Sequence, residues 1–215
     1  MAETNEVENQ YKVKLQHPFD RTRKVVFEVT PELLENRAVN YKTLDPVHMP
    51  GQIYVYATTS SRTFNIANAR LVSRTPTEAQ KNLEILHMLR FWTMPRFGRQ
   101  NELESAQLGQ LGAPPDVLLL SAYSDVPKDL GNIGDANQKM GHLNRSPTVR
   151  TNLSINYPSD VDYIPTLGNT SINDPGGQPM PTLMSVDVQL SETHSPFEYE
   201  NFSLSQFKNG TLPGF

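Results

Sequence analysis

Val149-Arg150-Thr151-Asn152-Leu153-Ser154-Ile155-Asn156-Tyr157 and Met184-Ser185-Val186-Asp187-Val188-Gln189-Leu190-Ser191 are the two stretches whose reading decides the fold. Successive side chains of a strand point to opposite faces, so alternation with period two marks a strand with one face buried. In the first stretch Val149, Thr151, Leu153, Ile155 and Tyr157 form the apolar set, and Arg150, Asn152, Ser154 and Asn156 the polar one. In the second, Met184, Val186, Val188 and Leu190 alternate with Ser185, Asp187, Gln189 and Ser191. Both polar sets are built from Asn, Ser, Asp and Gln rather than Lys, with Arg150 the departure.

Working outward, the same alternation recurs. Tyr11, Val13 and Leu15 alternate with Lys12, Lys14 and Gln16, and Val25, Phe27 and Val29 with Lys24, Val26 and Glu28; His17-Pro18-Phe19-Asp20 between them predicts a first hairpin. Ile53-Tyr54-Val55-Tyr56-Ala57 follows the Met49-Pro50-Gly51 breaker as an aromatic-rich strand. From Thr63 to Arg74, Phe64 and Ile66 share one phase while Ala69, Leu71 and Ser73 take the other, which predicts a β-bulge near Asn68. Pro114-Pro115 introduces a strand over Asp116 to Tyr123 whose run Val117 to Leu120 suggests burial on both faces.

One helix stands out. Thr75-Pro76-Thr77-Glu78 offers an N-cap hydroxyl, a proline at the first helical position and a Glu three residues after the cap, the pattern of a capping box. Ala79, Leu83, Leu86 and Leu89, flanked by Ile85, Met88 and Trp92, give an apolar stripe at helical spacing, so a helix over about 75–92 should cover a sheet. Arg99 to Gln110 is read as a second short helix or a loop. The tail from Phe197 alternates aromatic and polar residues and ends in turn-rich sequence. The expectation is a mainly β, α+β chain forming a single domain over 1–215, with loop excursions at about 96–114, 124–147 and 158–182.

Composition agrees. Only 37% of the 215 residues are apolar and 20% are charged, which favours strands and long polar loops over helix bundles. The net charge of −4 argues against a general DNA-binding surface. It divides unevenly: residues 1–100 carry 14 Lys/Arg against 10 Asp/Glu, and residues 101–215 carry 5 against 13. Two surfaces of opposite sign would suit identical copies that stack or close into a ring. No cysteine is present, which removes disulfides, thiolate metal sites and thiol nucleophiles. The acidic opening Met1 to Glu8 does not resemble a secretory signal, and the longest apolar run, Val117 to Leu120, is far below the roughly 20 residues a membrane helix needs. A soluble protein that does not insert into membranes is expected.

The chemistry-bearing residues do not form a catalytic constellation. Asp160-Val161-Asp162 could chelate a divalent cation, but no nucleotide-binding pattern precedes it. His17, His48, His87, His142 and His194 never fall at metal-ligand spacing. Gly131-Asn132-Ile133-Gly134 is too sparse for a phosphate loop, and no Gly-x-Ser-x-Gly elbow occurs. Arg90-Phe91-Trp92 and Arg96-Phe97 come nearest to a base-stacking strip, yet Trp92 lies on the apolar stripe of the helix and reads as core. No enzyme, metal or cofactor is expected.

The succession Val47-His48-Met49-Pro50-Gly51, Arg62-Thr63-Phe64 and Leu71-Val72-Ser73-Arg74-Thr75-Pro76-Thr77-Glu78-Ala79, leading into Leu89-Arg90-Phe91-Trp92-Thr93-Met94-Pro95, resembles the tube-initiator proteins of contractile phage tails. Pro115-Asp116-Val117-Leu118, Thr151 to Pro158 with Val161-Asp162-Tyr163-Ile164, and Met180-Pro181-Thr182 leading to Gln189 through Pro196 extend the resemblance over most of residues 25–210.

That resemblance implies a tail-tube-type β-sandwich or half-barrel with one flanking helix. Six copies would form a ring at the baseplate end of the tail tube, whose long strands line a lumen. Arg150, Asn152, Ser154, Asn156, Ser185, Asp187, Gln189 and Ser191 are then the candidate lumen-facing residues, with Arg150 expected to pair with Asp187. Double-stranded DNA would pass without specific binding, because Lys/Arg contacts to phosphate are what hold DNA non-specifically. Partners would be further copies of the chain and other tail-tube, baseplate hub and sheath-initiating proteins, with the virion as location. The loops Asp125 to Ser146 and Pro158 to Pro181 would carry contacts between rings and between subunits. Within the same class, a tail-tube or tail-terminator subunit fits too. From another class, a β-sandwich glycan-binding module would use Tyr54, Tyr56 and Tyr123 in a groove, and a hydrolase would need carboxylates converging in a cleft.

Overall fold

The computed structural model describes residues 12–20, 22–48, 50–95, 114–123, 143–167, 177–209 and 212. Arg99 to Gln110, the loop 124–142 and Asp174-Pro175-Gly176 lie outside them. The chain is mainly β. Its main sheet has seven strands, all antiparallel, in the order β2-β1-β7-β8-β11-β6-β3. These are β1 (Lys14–Gln16), β2 (Lys24–Val26), β3 (Glu32–Asn36), β6 (Thr63–Val72), β7 (Leu118–Ala122), β8 (Leu143–Asn156) and β11 (Leu183–Glu192). Two small hairpins accompany it: β4 (Val39–Leu44) with β5 (Ile53–Thr59), and β9 (Tyr163–Pro165) with β10 (Pro179–Pro181). The helices are α1 (Pro76–Phe91), α2 (Pro196–Glu200) and α3 (Leu204–Asn209).

The predicted first hairpin forms, with Leu15 opposite Val25. The 124–147 excursion is shorter than expected, since Leu143 to Ser146 already belong to β8 and pair with β7. The run in β7 is buried at Leu118 and Leu120, while Val117 is 37% exposed and Leu119 is half-buried. The tail is not a continued alternation of extended residues. It folds into α2 and α3, with Ser195 and Glu198 exchanging the two hydrogen bonds of a capping box.

Helix α1 covers one face of the sheet. Ala79, Leu86, Leu89 and Trp92 are buried against Phe64, Ile66, Ala69 and Leu71 of β6 and against Met184, Val186, Val188 and Leu190 of β11 in one core cluster. Thr75 caps the helix, its hydroxyl accepting from the Glu78 amide at 3.3 Å. The reciprocal bond lands one residue earlier than a capping box would place it, since Glu78 accepts from the Arg74 amide at 2.7 Å. Asn82, buried on the same stripe, donates to the Val72 carbonyl and the Ser73 hydroxyl, both at 2.9 Å, and ties the helix to the end of β6. Gly177 lies so close to β9 that an added Cβ would sit 1.6 Å from the Thr166 carbonyl oxygen.

Two bulges set the phases of the central strands. Between Ile66 and Ala69, two β6 residues face Asp187 alone; Asn68 takes a positive φ of 51°, and its amide donates to Asp187 Oδ1 at 2.7 Å. The extra residue lets Phe64, Ile66, Ala69, Leu71 and Ser73 all reach the core, as the phase change predicts. A second bulge, not anticipated, falls at Thr151, because Arg150 pairs with Leu190 while Asn152 pairs with the adjacent Gln189.

Candidate assembly surfaces

On the face of the main sheet opposite α1, the row along β6, β8 and β11 is largely polar. Across the β8–β11 ladder, Asn156 faces Ser185, Ser154 faces Asp187 and Asn152 faces Gln189, and Ser191 continues the row toward Thr63 of β6. Directly paired residues of an antiparallel ladder share a face. Seven of the eight polar residues singled out above, Asn152, Ser154, Asn156, Ser185, Asp187, Gln189 and Ser191, therefore occupy one continuous strip. Asn65 of β6 joins it opposite Gln189, and Arg70, opposite Ser185, places one cation there.

Arg150 is on the other side. Its pairing with the buried Leu190 puts it in the phase of the core, and its Nη1 donates to the Leu89 carbonyl oxygen at 3.0 Å. The bulge at Thr151 is the physical reason: one extra residue reverses the phase of everything before it on β8. Arg150 thus does not pair with Asp187, whose Oδ1 is taken by the Asn68 amide.

A second surface is half visible in the sequence, which marks β5 but not its partner β4. β4 and β5 project from the β3–β6 edge as a hairpin whose base is fastened by Ser60, which donates to and accepts from the Ala38 backbone at 2.9–3.1 Å. Six residues of β4 at about 3.3 Å each make a ribbon roughly 20 Å long. Tyr41, Tyr54 and Tyr56 occupy one side of it, and Ile53, Val55 and Leu44 the other, all 43–66% exposed. Tyr41 and Tyr56 pack edge to face with centroids 6.1 Å apart. A two-stranded ribbon without a core is marginal in water, so apolar side chains on both its sides mark a surface that gains by being covered. No period-two signal could have exposed β4, because none of its residues is buried.

A buried ionic cluster joins the sheet to the C-terminal segment. The Arg62 guanidinium hydrogen-bonds the Glu192 carboxylate, with Nε at 3.0 Å from each oxygen, and lies 3.4 Å from Glu35. Arg62 is 7% exposed and Glu192 5%. Burial opposes the charge on Arg62, but hydrogen bonds and attraction from Glu192, with help from Glu35, outweigh it and raise its pKa. Burial likewise opposes ionisation of Glu192, and its bonds to Arg62 and His194 outweigh that and lower its pKa. His194 Nε2 lies 3.0 Å from Glu192, and Nδ1 lies 3.7 Å from Glu198 of the α2 cap. Glu192 carried a sequence signal, since it continues the buried phase of Val186, Val188 and Leu190; its partner lies 130 residues away.

The remaining candidates do not converge. Asp160 and Asp162 sit in the exposed turn between β8 and β9, with Asp160 accepting from Ser159 at 3.3 Å. His17 accepts from the Phe19 and Asp20 amides, His48 and His87 are exposed, and His142 lies outside the described residues. No group of three His, Asp or Glu among the described residues could hold a metal ion, and no helix among them is long and apolar enough to cross a membrane. Trp92 is core, 1% exposed. Tyr123 is exposed at the end of β7, on a different strand from the hairpin tyrosines. No protein-family model matches the chain, and no curated protein does.

Proposed function

We propose that this chain is a structural subunit of a contractile phage tail. Its copies close into a ring, six in the reading the resemblance supports, at the baseplate end of the tail tube. The ring initiates or caps tube assembly and lines the DNA channel. The observation that carries the reading is the polar strip on β6, β8 and β11: a long, hydrated, cation-poor face backed by a core and a helix. Facing a lumen, it offers phosphate little to hold beyond Arg70, so DNA slides past. Six copies at −4 each carry −24, which further disfavours adhesion.

The exposed β4–β5 hairpin supports the same reading from the assembly side. A cyclic ring uses two different patches per subunit, and a stacked tube needs contacts along its axis too. An apolar ribbon projecting from a sheet edge fits such a contact with another copy or with a neighbouring tube, hub or sheath-initiating protein. Position along the tube, whether initiator, tube or terminator, follows from which neighbours flank the ring. The test is electron cryo-microscopy of the native particle together with native mass measurement. Six copies around a DNA-wide lumen lined by Asn152, Ser154, Asp187 and Gln189 are expected. A monomer in the particle, or a ring whose inner face is strongly basic, would overturn the proposal.

A further inference from the structure

A cavity beside the C-terminal end of α1 is bordered by two side chains whose buried donors lack partners. It opens to solvent, has a volume of about 500 Å³ and is lined by Arg90 in the last turn of α1, Trp92 and Thr93 just after it, Pro115 before β7, and Arg150 to Leu153 and Ile155 of β8. β7 last pairs with β8 at Leu118, opposite Thr148, so the cavity lies along a stretch of β8 that β7 no longer covers. Trp92 Nε1 and Arg150 Nη2 are both buried with no hydrogen-bond partner. Buried donors are nearly always satisfied, and two orphans on residues that border one cavity call for an acceptor that reaches them from it. Among the described residues no acidic side chain lines it. Arg150 makes its one bond to the Leu89 carbonyl, and Arg90 donates to the Tyr157 hydroxyl at 2.6 Å. The helix C-terminus offsets part of the positive charge. Burial still pulls the Arg150 guanidinium down to about 10, whereas Arg62, provided with Glu192 and Glu35, moves the other way.

We infer that this cavity is a carboxylate-binding site, in which an anion seats against Arg150 and Arg90 and accepts the Trp92 indole N–H. A carboxylate has two acceptor oxygens in one plane, matching the guanidinium fork and leaving a lone pair for the indole. The source is either a small organic acid or an Asp/Glu side chain of a second copy, whose residues 101–215 carry 13 acidic against 5 basic residues. The site does not depend on the ring reading, because Arg150 belongs to the helix-covered phase of the sheet rather than to the polar strip.

Trp92 is the chain's sole tryptophan, so its fluorescence reports the site directly. The full chain is titrated with sodium acetate against sodium chloride at matched ionic strength, and separately diluted over a wide protein-concentration range without acetate. A saturable acetate response independent of protein concentration assigns the site to a free acid. A response that follows self-association, and that acetate competes away, assigns it to a second copy; either outcome supports the proposal. Arg150→Gln should weaken the response tenfold or more, Arg90→Gln should weaken it less, and Arg70→Gln, on the opposite face, should leave it unchanged. Absence of any response beyond chloride in both series overturns the proposal, as does an Arg150→Gln protein that folds and responds like the wild type. Should Arg150→Gln fail to fold, Arg90→Gln against Arg70→Gln decides: equal responses in these two refute the site.

Discussion

Glu192→Gln is the perturbation that tests the energetics of the molecule most sharply. It keeps the shape of the side chain and removes the charge that faces Arg62 in an environment 5–7% exposed. Breaking a buried pair by removing one partner costs about 3–5 kcal/mol, because the surviving ion is left uncompensated. Here the lower end applies. Arg62 retains Glu35 at 3.4 Å, and the glutamine oxygen still accepts from the guanidinium. About 3 kcal/mol in a chain of this size lowers Tm by roughly 6–12 °C. Chemical denaturation at pH 7, followed by circular dichroism, gives the free energy directly. The pH dependence supplies a second readout. Glu192 has a folded pKa below its ordinary 4.5, so its contribution is complete above the unfolded value and is lost as pH falls through the folded one. The gap between wild type and variant should therefore narrow on acidification below about pH 4.5. The double variant Arg62→Met/Glu192→Leu should recover most of the loss, since apolar replacement of both partners removes the stranded charge. A single-variant cost under about 1 kcal/mol, or a gap that stays constant down to pH 3, would refute the reasoning.

Thr75→Ala removes the hydroxyl that accepts the Glu78 amide and should cost about 1 kcal/mol in urea unfolding. Leu86→Ala empties a fully buried position between α1 and the sheet, with an expected loss of about 2–5 kcal/mol by the same measurement. Asn68 sits at φ 51°, so Asn68→Val should destabilise by about 1–2 kcal/mol while Asn68→Gly stays within a few tenths. The hairpin variant Tyr41→Ser/Tyr56→Ser should leave Tm within a few degrees, because neither residue packs on the core, yet suppress ring formation seen by sedimentation or electron microscopy; unimpaired assembly would detach the hairpin from the interface.

The parts of the fold legible in the sequence are those in which a buried stripe and a local signal coincide. Thr75 and Pro76 mark the start of α1, the alternation of Met184 to Leu190 gives β11 its faces, and the phase change between Ile66 and Ala69 announces the bulge at Asn68. The bulge at Thr151 left no such mark. Threonine fits either face, and Arg150 carries a long aliphatic stem that can cross a covered surface while its head finds the Leu89 carbonyl. The pattern therefore reads as unbroken and sets Arg150 with Asn152, whereas the structure sets it with Thr148. β4 was invisible for the opposite reason, since alternation records burial and the hairpin buries nothing within one chain. Arg62 and Glu192 meet only because β6 and β11 are neighbours in the sheet, a relation that no local window contains.

The distribution of charge within the structure follows from these two bulges. The bulge at Asn68 turns one backbone amide toward Asp187 and so satisfies the carboxylate on the polar strip without a cation. The bulge at Thr151 withdraws Arg150 from that same strip and presses it against the end of α1. Together they leave the β8–β11 portion of the strip with uncharged side chains and one amide-bound carboxylate. The guanidinium that the sequence pattern assigns to this surface becomes instead the buried, incompletely satisfied donor of a cavity beneath it. A strand pair without the bulge at Thr151 would have set Arg150 on the strip beside Asn152. Two inserted residues thus separate a polar row that holds Asp187 from a guanidinium turned to the end of α1.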